Sequence, residues 1–476
     1  MTTPLQLDDI QGFVVRGYTF LYARYLFLQF DTQAHGQQWL AKIVDWTTPA
    51  TTWTQKPKVC QNIAFTVDGL KALGLADSSL QTFSKEFVAG MHTRERVLGD
   101  TEGNRADLWE IGNPTRPDLQ IHALLLLFGL TSDDLKQFSE QHAQIRAQIG
   151  GITLLHSIDG VRRLDKKEHF GYLDGAGQPQ IEGMDARSAA HSADPTRPLK
   201  AGEFVLGYQN EYGILPSSPT VPSDARAQRL AAVEKQPALR DFGCNGTYLV
   251  LRKLYQDVAA FRKFLQDNAP DFHSESRKAA DRHEVEWLAA KLVGRWRSGT
   301  PLALSPEQDS PLPGKHENNT FKFGDDTAGL TTPRGSHIRR ANPRDTFGLP
   351  GAYGTESFKA VNRHRIIRRG MPYGPPLQST QDDGADRGLV FICINANIAV
   401  QYEFVQKWMN DPNFNGLYQN QDVFAHNHHI TDTFAVIEQP PLRQRIPYPQ
   451  SFVKVRGGAY FFMPGIAALR YLSASE

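Results

Sequence analysis

The sequence predicts an α+β protein of two halves, each a sheet covered by helices. Three observations lead there. Aromatic and aliphatic runs of strand length alternate with stretches whose apolar residues recur at helical spacing, and this happens twice along the chain. At 476 residues the chain is long enough for more than one core-bearing unit. A polar, Pro-containing segment, Asp185–Gly202, separates the two sets. The expected halves are therefore 1–184 and 185–476.

Tyr18–Phe30 is rich in aromatic and aliphatic residues and predicts a buried strand. Trp39, Leu40, Ile43 and Val44 follow at helical spacing. Ile121–Phe128 predicts a second buried strand. The helix after it is capped by Thr131 or Ser132, with Asp133 and Asp134 in its first turn. Leu135, Phe138, Ile145 and Ile149 share its inner face, Gly150-Gly151 stops it, and Ile152–Leu155 begins another strand. In the second half, Tyr248–Leu251 predicts a strand and Asp257 the cap of a helix with Val258, Phe261 and Leu265 inward. Val285, Leu288, Leu292 and Trp296 mark another helix. Leu389–Ile394 predicts a strand, with a helix after it at Phe404 and Trp408. Pro216–Pro237, Gly299–Asn318 and Gln378–Arg387 are expected to be long loops.

Lys plus Arg (52) balances Asp plus Glu (51), which argues against a nucleic-acid or membrane-surface partner recruited by net charge. Cys60, Cys244 and Cys393 are far apart and odd in number, so no disulfide framework is expected and a reducing compartment fits. The first residues do not form a secretory signal. The longest apolar run, Ala123–Phe128, is too short to span a bilayer. A cytoplasmic enzyme without a membrane partner is the expectation, and the oligomeric state is open.

Three stretches carry chemistry. Glu168–Pro179 centres on Gly171-Tyr172-Leu173-Asp174-Gly175. Glycines there permit a tight turn and close approach to a flat ligand. An acid on such a turn can sit in an apolar pocket, where desolvation favours its protonated form. Alone it reads as turn chemistry. The second stretch is Gly335–Arg344, containing His337-Ile338-Arg339-Arg340-Ala341-Asn342-Pro343-Arg344; the third is Arg365–Gly374, containing Ile367-Arg368-Arg369-Gly370.

Together, in this order, the three resemble the dye-decolourising peroxidases, a haem peroxidase family. The resemblance implies two ferredoxin-like halves with antiparallel sheets, a dimeric α+β barrel-like fold, with haem b held mainly by the second half. It implies His337 as the iron ligand, Asp174 as the distal acid–base and Arg368 as the charge stabiliser beside it. With 15 histidines in the chain, composition alone does not choose His337; the motif does. Hydrogen peroxide would be the oxidant and aromatic dyes and phenols the reducing substrates, taken in one-electron steps. A carboxylate as proton carrier implies activity weighted to acidic pH.

Around these, Arg339, Arg340 and Arg344 offer guanidinium forks for the haem propionates. Asn342 would narrow access on the same side. Leu389 and Phe391, two apart on a strand, share a face and would form an apolar ceiling. A carboxylate partner for His337 is expected; Glu403, Asp411 and Asp422 are candidates. Arg368 follows His337 by 31 residues, and the intervening Thr346–Arg363 reads as a loop insertion at the mouth of the site, as in a larger branch of the family. A rival reading, a non-catalytic haem- or metal-binding protein, rests on His426-Asn427-His428-His429 with Asp422.

Overall fold

The computed structural model describes residues 4–184, 197–269, 282–311, 317–348, 353–426, 433–447 and 451–474. Its first half contributes β1 (Tyr22–Phe30), α1 (Gln33–Ile43), β2 (Val59–Phe65), β3 (Ala123–Gly129), α2 (Ser132–Ile149) and β4 (Ile152–Val161). The second contributes β5 (Thr247–Gln256), α3 (Val258–Asn268), α4 (Arg282–Val293), α5 (His337–Ala341), α6 (Thr355–Asn362), β6 (Ile367–Arg368), β7 (Met371–Tyr373), β8 (Gly388–Asn395), α7 (Phe404–Asn410) and β9 (Val453–Met463).

The local signals explain these elements. Thr131 caps α2 by a reciprocal pair with Asp134, and Gly150, at φ 74°, ends it. Asp257 accepts the Ala260 N–H and opens α3. The first strand begins at Tyr22, four residues later than expected, and Trp296 falls beyond the end of α4. Pro216–Pro237 is more than loop. It carries the short strands Thr220–Pro222 and Ala231–Ala232, both paired with Leu239–Asp241.

All the main strands pair antiparallel, in the order β7-β4-β1-β3-β2-β9-β5-β8-β6. Because β7 also pairs with β8, the sheet closes into a barrel. The first-half order β4-β1-β3-β2 is repeated by β9-β5-β8 with β6 and β7, which is the ferredoxin-like arrangement twice over. Pairing inside each half is long. The two seams between halves are narrow, one residue pair each: Phe65 with Phe462, and Gly160 with Tyr373.

Strand alternation divides the side chains between two faces. Tyr25, Phe27, Leu124, Leu126, Leu249, Leu251, Val390 and Ile392 fill the barrel. Leu26, Leu28, Leu125 and Leu127 face outward under α1 and α2, where Trp39, Leu40 and Ile43 cover them. Among the described residues no helix is long and apolar enough to cross a membrane. Cys60, Cys244 and Cys393 are all free thiols.

On α2 the His142 imidazole is fully buried between Phe138 and Trp46, at ring distances of 4.8 and 5.4 Å, and neither ring nitrogen has a hydrogen-bond partner. Burial, with the nearby Arg146 charge, pushes its pKa down to about 3. The unfolded chain takes up this proton below about 6.5, while the folded chain does not until about 3. Stability should therefore fall as pH drops through that window, by up to about 1.4 kcal/mol per pH unit. His142→Leu should flatten this part of the pH–stability curve, read by thermal unfolding at successive pH values; an unchanged slope would show that His142 does not contribute.

Candidate active site

A cavity of about 340 Å3 lies outside the barrel, against the outer faces of β5 and β8. Arg252, Leu254 and Gln256 line it from β5, and Leu389 and Phe391 from β8. Their neighbours Leu251, Val390 and Ile392 point into the barrel, so the pleat itself separates the cavity wall from the core. The opposite walls come from the 168–177 loop, α5, α7 and the segment around Phe424.

His337 opens α5 and lines the cavity. Its Nδ1 donates to Asp422 Oδ2 at 3.0 Å. The Asp422 side chain is fully buried, and its Oδ1 accepts the N–H groups of Phe424 and Ala425 at 2.9 and 2.6 Å. Burial would raise the Asp422 pKa. The His337 charge and hydrogen bond, the Ala425 N–H and Arg340 outweigh it and hold the carboxyl at about 2. The other two candidate partners are engaged elsewhere: Glu403 takes a bidentate bond from Arg94, and Asp411 accepts the Asn413 N–H. Phe424 stands edge-on to the imidazole at 6.0 Å and fixes its plane.

Asp174 lines the cavity from the turn after Gly171, and its Oδ1 accepts the Gly175 N–H at 2.6 Å. Gly171 has φ 96°, a left-handed conformation that favours glycine, and a Cβ there would lie 2.8 Å from the tip of the Arg297 side chain. Arg368, on β6, also lines the cavity. Its Nη2 donates to Ala176 O at 2.6 Å and its N–H to Gln178 Oε1 at 2.9 Å. The guanidinium is thereby held against the turn that carries Asp174.

The arginines divide in a way the sequence reading did not anticipate. On α5, His337 and Ala341 are one turn apart and share the cavity face, with Ile338 and Asn342 beside them. Arg339 and Arg340 fall on the other side of the helix. Arg339 bonds to Thr332 O and to Asp326, and Arg340 to Trp408 O, Asp411 O and Asn420. Neither lines the cavity, so the expectation that they meet a ligand there is corrected by the helical period. Arg344 does line it, as do Arg295 and Arg365. Arg365 donates to Gly177 O, and Arg295 to Gly299 O, Asn318 O and Asn319 Oδ1. Among the described residues, the side chains of Arg295, Arg365 and Arg368 donate to neutral carbonyls rather than carboxylates. Burial, and then the Arg368 charge, push the pKa of both Arg295 and Arg365 down to about 10.

These walls fit a flat apolar ring system with pendant carboxylates and a metal. Apolar side chains face the middle, a histidine with its Nδ1 held by Asp422 faces in, and the guanidiniums of Arg295 and Arg365, which donate to neutral carbonyls, supply counter-charge. Arg365 was within reach of sequence reasoning, three residues before Arg368 in the same Arg-rich run. Arg295 and Phe424 carried no such signal.

Thr346–Arg363 is partly helical, as α6, and none of its described residues lines the cavity; the wall begins at His364. Phe347 packs instead on Trp408 and Phe414. In the histidine cluster, His426 is buried with its Nδ1 against Asp422 O. His428 and His429 lie outside the described residues, and among the described residues no group of three or more metal-binding side chains forms.

A family model described as the DyP dimeric alpha+beta barrel domain matches residues 9–165. A dye-decolorizing peroxidase of Mycena epipterygia is 28% identical over 99% of this chain and 88% of its own length. The multifunctional dye peroxidase DyP2 of Amycolatopsis sp. is 29% identical over 78% of this chain and 77% of its own. Among solved structures, an ancestral D-type dye decolorizing peroxidase superposes with a TM-score of 0.79 at 27% identity, covering 99% of this chain and 100% of that one. A dye-decolorizing peroxidase in complex with 2,6-dimethoxyphenol gives 0.78 at 25%, with the same coverage. The protein is an enzyme of the α+β barrel peroxidase class. Within that class the chain is similar over nearly its whole length to dye-decolourising peroxidases.

Asp422 joins the histidine to the protein frame, so its loss should be felt in stability. Asp422→Ala leaves the Phe424 and Ala425 N–H groups without their acceptor and should lower the unfolding free energy by about 1–3 kcal/mol in a denaturant titration. A folded pKa below the ordinary 3.8 means this contribution is present above 3.8 and lost as pH falls toward about 2. The variant should therefore show a shallower acid limb, and a parent-like limb would place the acid sensitivity elsewhere.

Proposed function

We propose that the cavity binds haem b through His337 Nε2 and that the enzyme uses hydrogen peroxide to oxidise aromatic dyes and phenols in one-electron steps. The observation that carries this reading is the His337–Asp422 hydrogen bond on the cavity wall. A carboxylate that accepts the Nδ1 proton leaves the Nε2 lone pair for a metal and raises the basicity of the ring. Arg295, Arg344 and Arg365 line the cavity and would hold the haem carboxylates. When bound, haem supplies the redox chemistry: it takes two oxidising equivalents from peroxide and passes them singly to reducing substrates.

The side chains hold charge and move the proton. The Asp174 carboxylate takes a proton from one oxygen of hydrogen peroxide and returns it to the other, so that water leaves. The Arg368 guanidinium stabilises negative charge as it develops on the peroxide. Leu389 and Phe391 keep this side of the cavity apolar, which strengthens both effects. The 2,6-dimethoxyphenol bound in one related structure, and the dye activity for which the relatives are named, support the substrate class.

Haem content and stopped-flow mixing with hydrogen peroxide test the assignment. His337→Ala should fold yet bind little haem. Asp174→Asn should keep haem and slow the first spectral change after mixing by about 10²–10⁴-fold. Arg368→Leu should slow it by about 10²–10³-fold. Full haem binding in the first variant would remove His337 as ligand. Parent rates in both of the others would send the proton-transfer role to a different acid.

A further inference from the structure

We propose that Glu168 is a positioning residue for Asp174: its carboxylate sets the turn that presents the distal acid to the cavity. The proposal rests on Asp174 being the proton carrier.

Glu168 lines the cavity six residues before Asp174 and makes none of the contacts assigned so far. Its two oxygens collect three donors. Oε1 accepts the Tyr172 N–H at 2.8 Å; Oε2 accepts the Phe170 N–H at 2.8 Å and Gln256 Nε2 at 2.6 Å. The main chain folds round the same group. Glu168 N–H donates to Tyr172 O at 3.0 Å, Gly171 N–H to Glu168 O at 2.9 Å, and Asp174 N–H to Lys166 O at 2.9 Å. The side chain thus acts as a template for the left-handed turn at Gly171, and the chain leaves that turn directly into Asp174. Gln256 ties the template to β5, so the acid is referenced to the same strand that walls the cavity.

The chemistry calls for a carboxylate. All three partners are N–H donors, and an ionised Glu offers two acceptor oxygens and no hydrogen. A glutamine would turn an amide hydrogen toward one of the backbone N–H groups. The charged groups near Glu168 are Asp174, Arg163 and Arg297, and Arg297 Nη1 donates to Phe170 O within the same turn. With both oxygens engaged, Glu168 serves as an acceptor that shapes the loop, while Asp174, whose Oδ1 accepts the Gly175 N–H, lines the cavity from the same turn.

A double-mutant cycle on the haem-loaded enzyme tests this. Glu168→Gln should retain haem and reduce the second-order rate constant with hydrogen peroxide by about 10- to 100-fold, the scale expected for a misplaced catalytic group. In an Asp174→Asn background the same change should add little, because its effect passes through Asp174. Hydrogen–deuterium exchange of the 166–176 segment should speed up in Glu168→Gln, a readout independent of turnover. Gln256→Leu removes one of the three donors. It should give a smaller loss with the same dependence on Asp174, and it carries the test if Glu168→Gln does not fold. A parent rate in Glu168→Gln, or an equal loss in both backgrounds, overturns the proposal while leaving Asp174 in its role. A parent rate in Asp174→Asn alone overturns the proton-carrier reading and this proposal with it.

Discussion

The barrel closes through three residues, Met371–Tyr373, and the arrangement of the site depends on that closure. These residues pair with β8 on one side and meet β4 through Tyr373 and Gly160 on the other. With so few ladder bonds, the seam depends on side chains. Met371 lies so close to Gly160 that a Cβ there would sit 3.0 Å from its sulfur. The His169 ring is 2.8 Å from Tyr373 O. Just before β7, Arg365 and Arg368 donate to Gly177 O and Ala176 O, and the Arg368 N–H to Gln178 Oε1. Four side-chain hydrogen bonds thus fasten the Asp174 loop of the first half to a strand segment of the second. Asp174 and Arg368 line one cavity because the halves are joined there.

Electrostatics follow from the same geometry. The cavity wall gathers Arg295, Arg344, Arg365 and Arg368, whose guanidiniums donate to the neutral carbonyls of Gly299, Asn319, Gly177 and Ala176. Burial, and then the Arg368 charge, lower the proton affinity of Arg295 and Arg365. A cluster of this kind is costly until an anion enters it. Below, the buried carboxylate of Asp422 is bonded to His337 and to two backbone N–H groups, and is held ionised. The carboxylate behind the histidine is thus bonded within the protein, while the wall beyond carries the guanidiniums together with Asp174 and Glu168.

Much was legible in the sequence because it is encoded by local period. Alternation along β8 fixed that Leu389 and Phe391 share a face, and Thr131, Asp257 and Gly150-Gly151 marked the ends of their helices. The motif order indicated Asp174, His337 and Arg368 as a set, and all three line one cavity. The same logic of period also reveals an error. In a five-residue helix that turns His337 toward the cavity, the next two arginines must turn away from it, and Arg339 and Arg340 do.

What the tertiary structure decided was every choice between residues with equal local claims. Asp422 rather than Glu403 or Asp411 meets His337 because the chain after α7 folds back over α5, 85 residues further on, and no local pattern encodes that return. Arg295 reaches the cavity from the end of α4, and Arg365 rather than Arg339 or Arg340 joins it. Barrel closure was likewise invisible locally, since each seam rests on one residue pair between strands remote in sequence. Strand and helix identity came from spacings of two and 3.6 residues, which the chain carries with it everywhere. Partner choice came from long-range contacts, which exist only once both halves have folded onto one barrel.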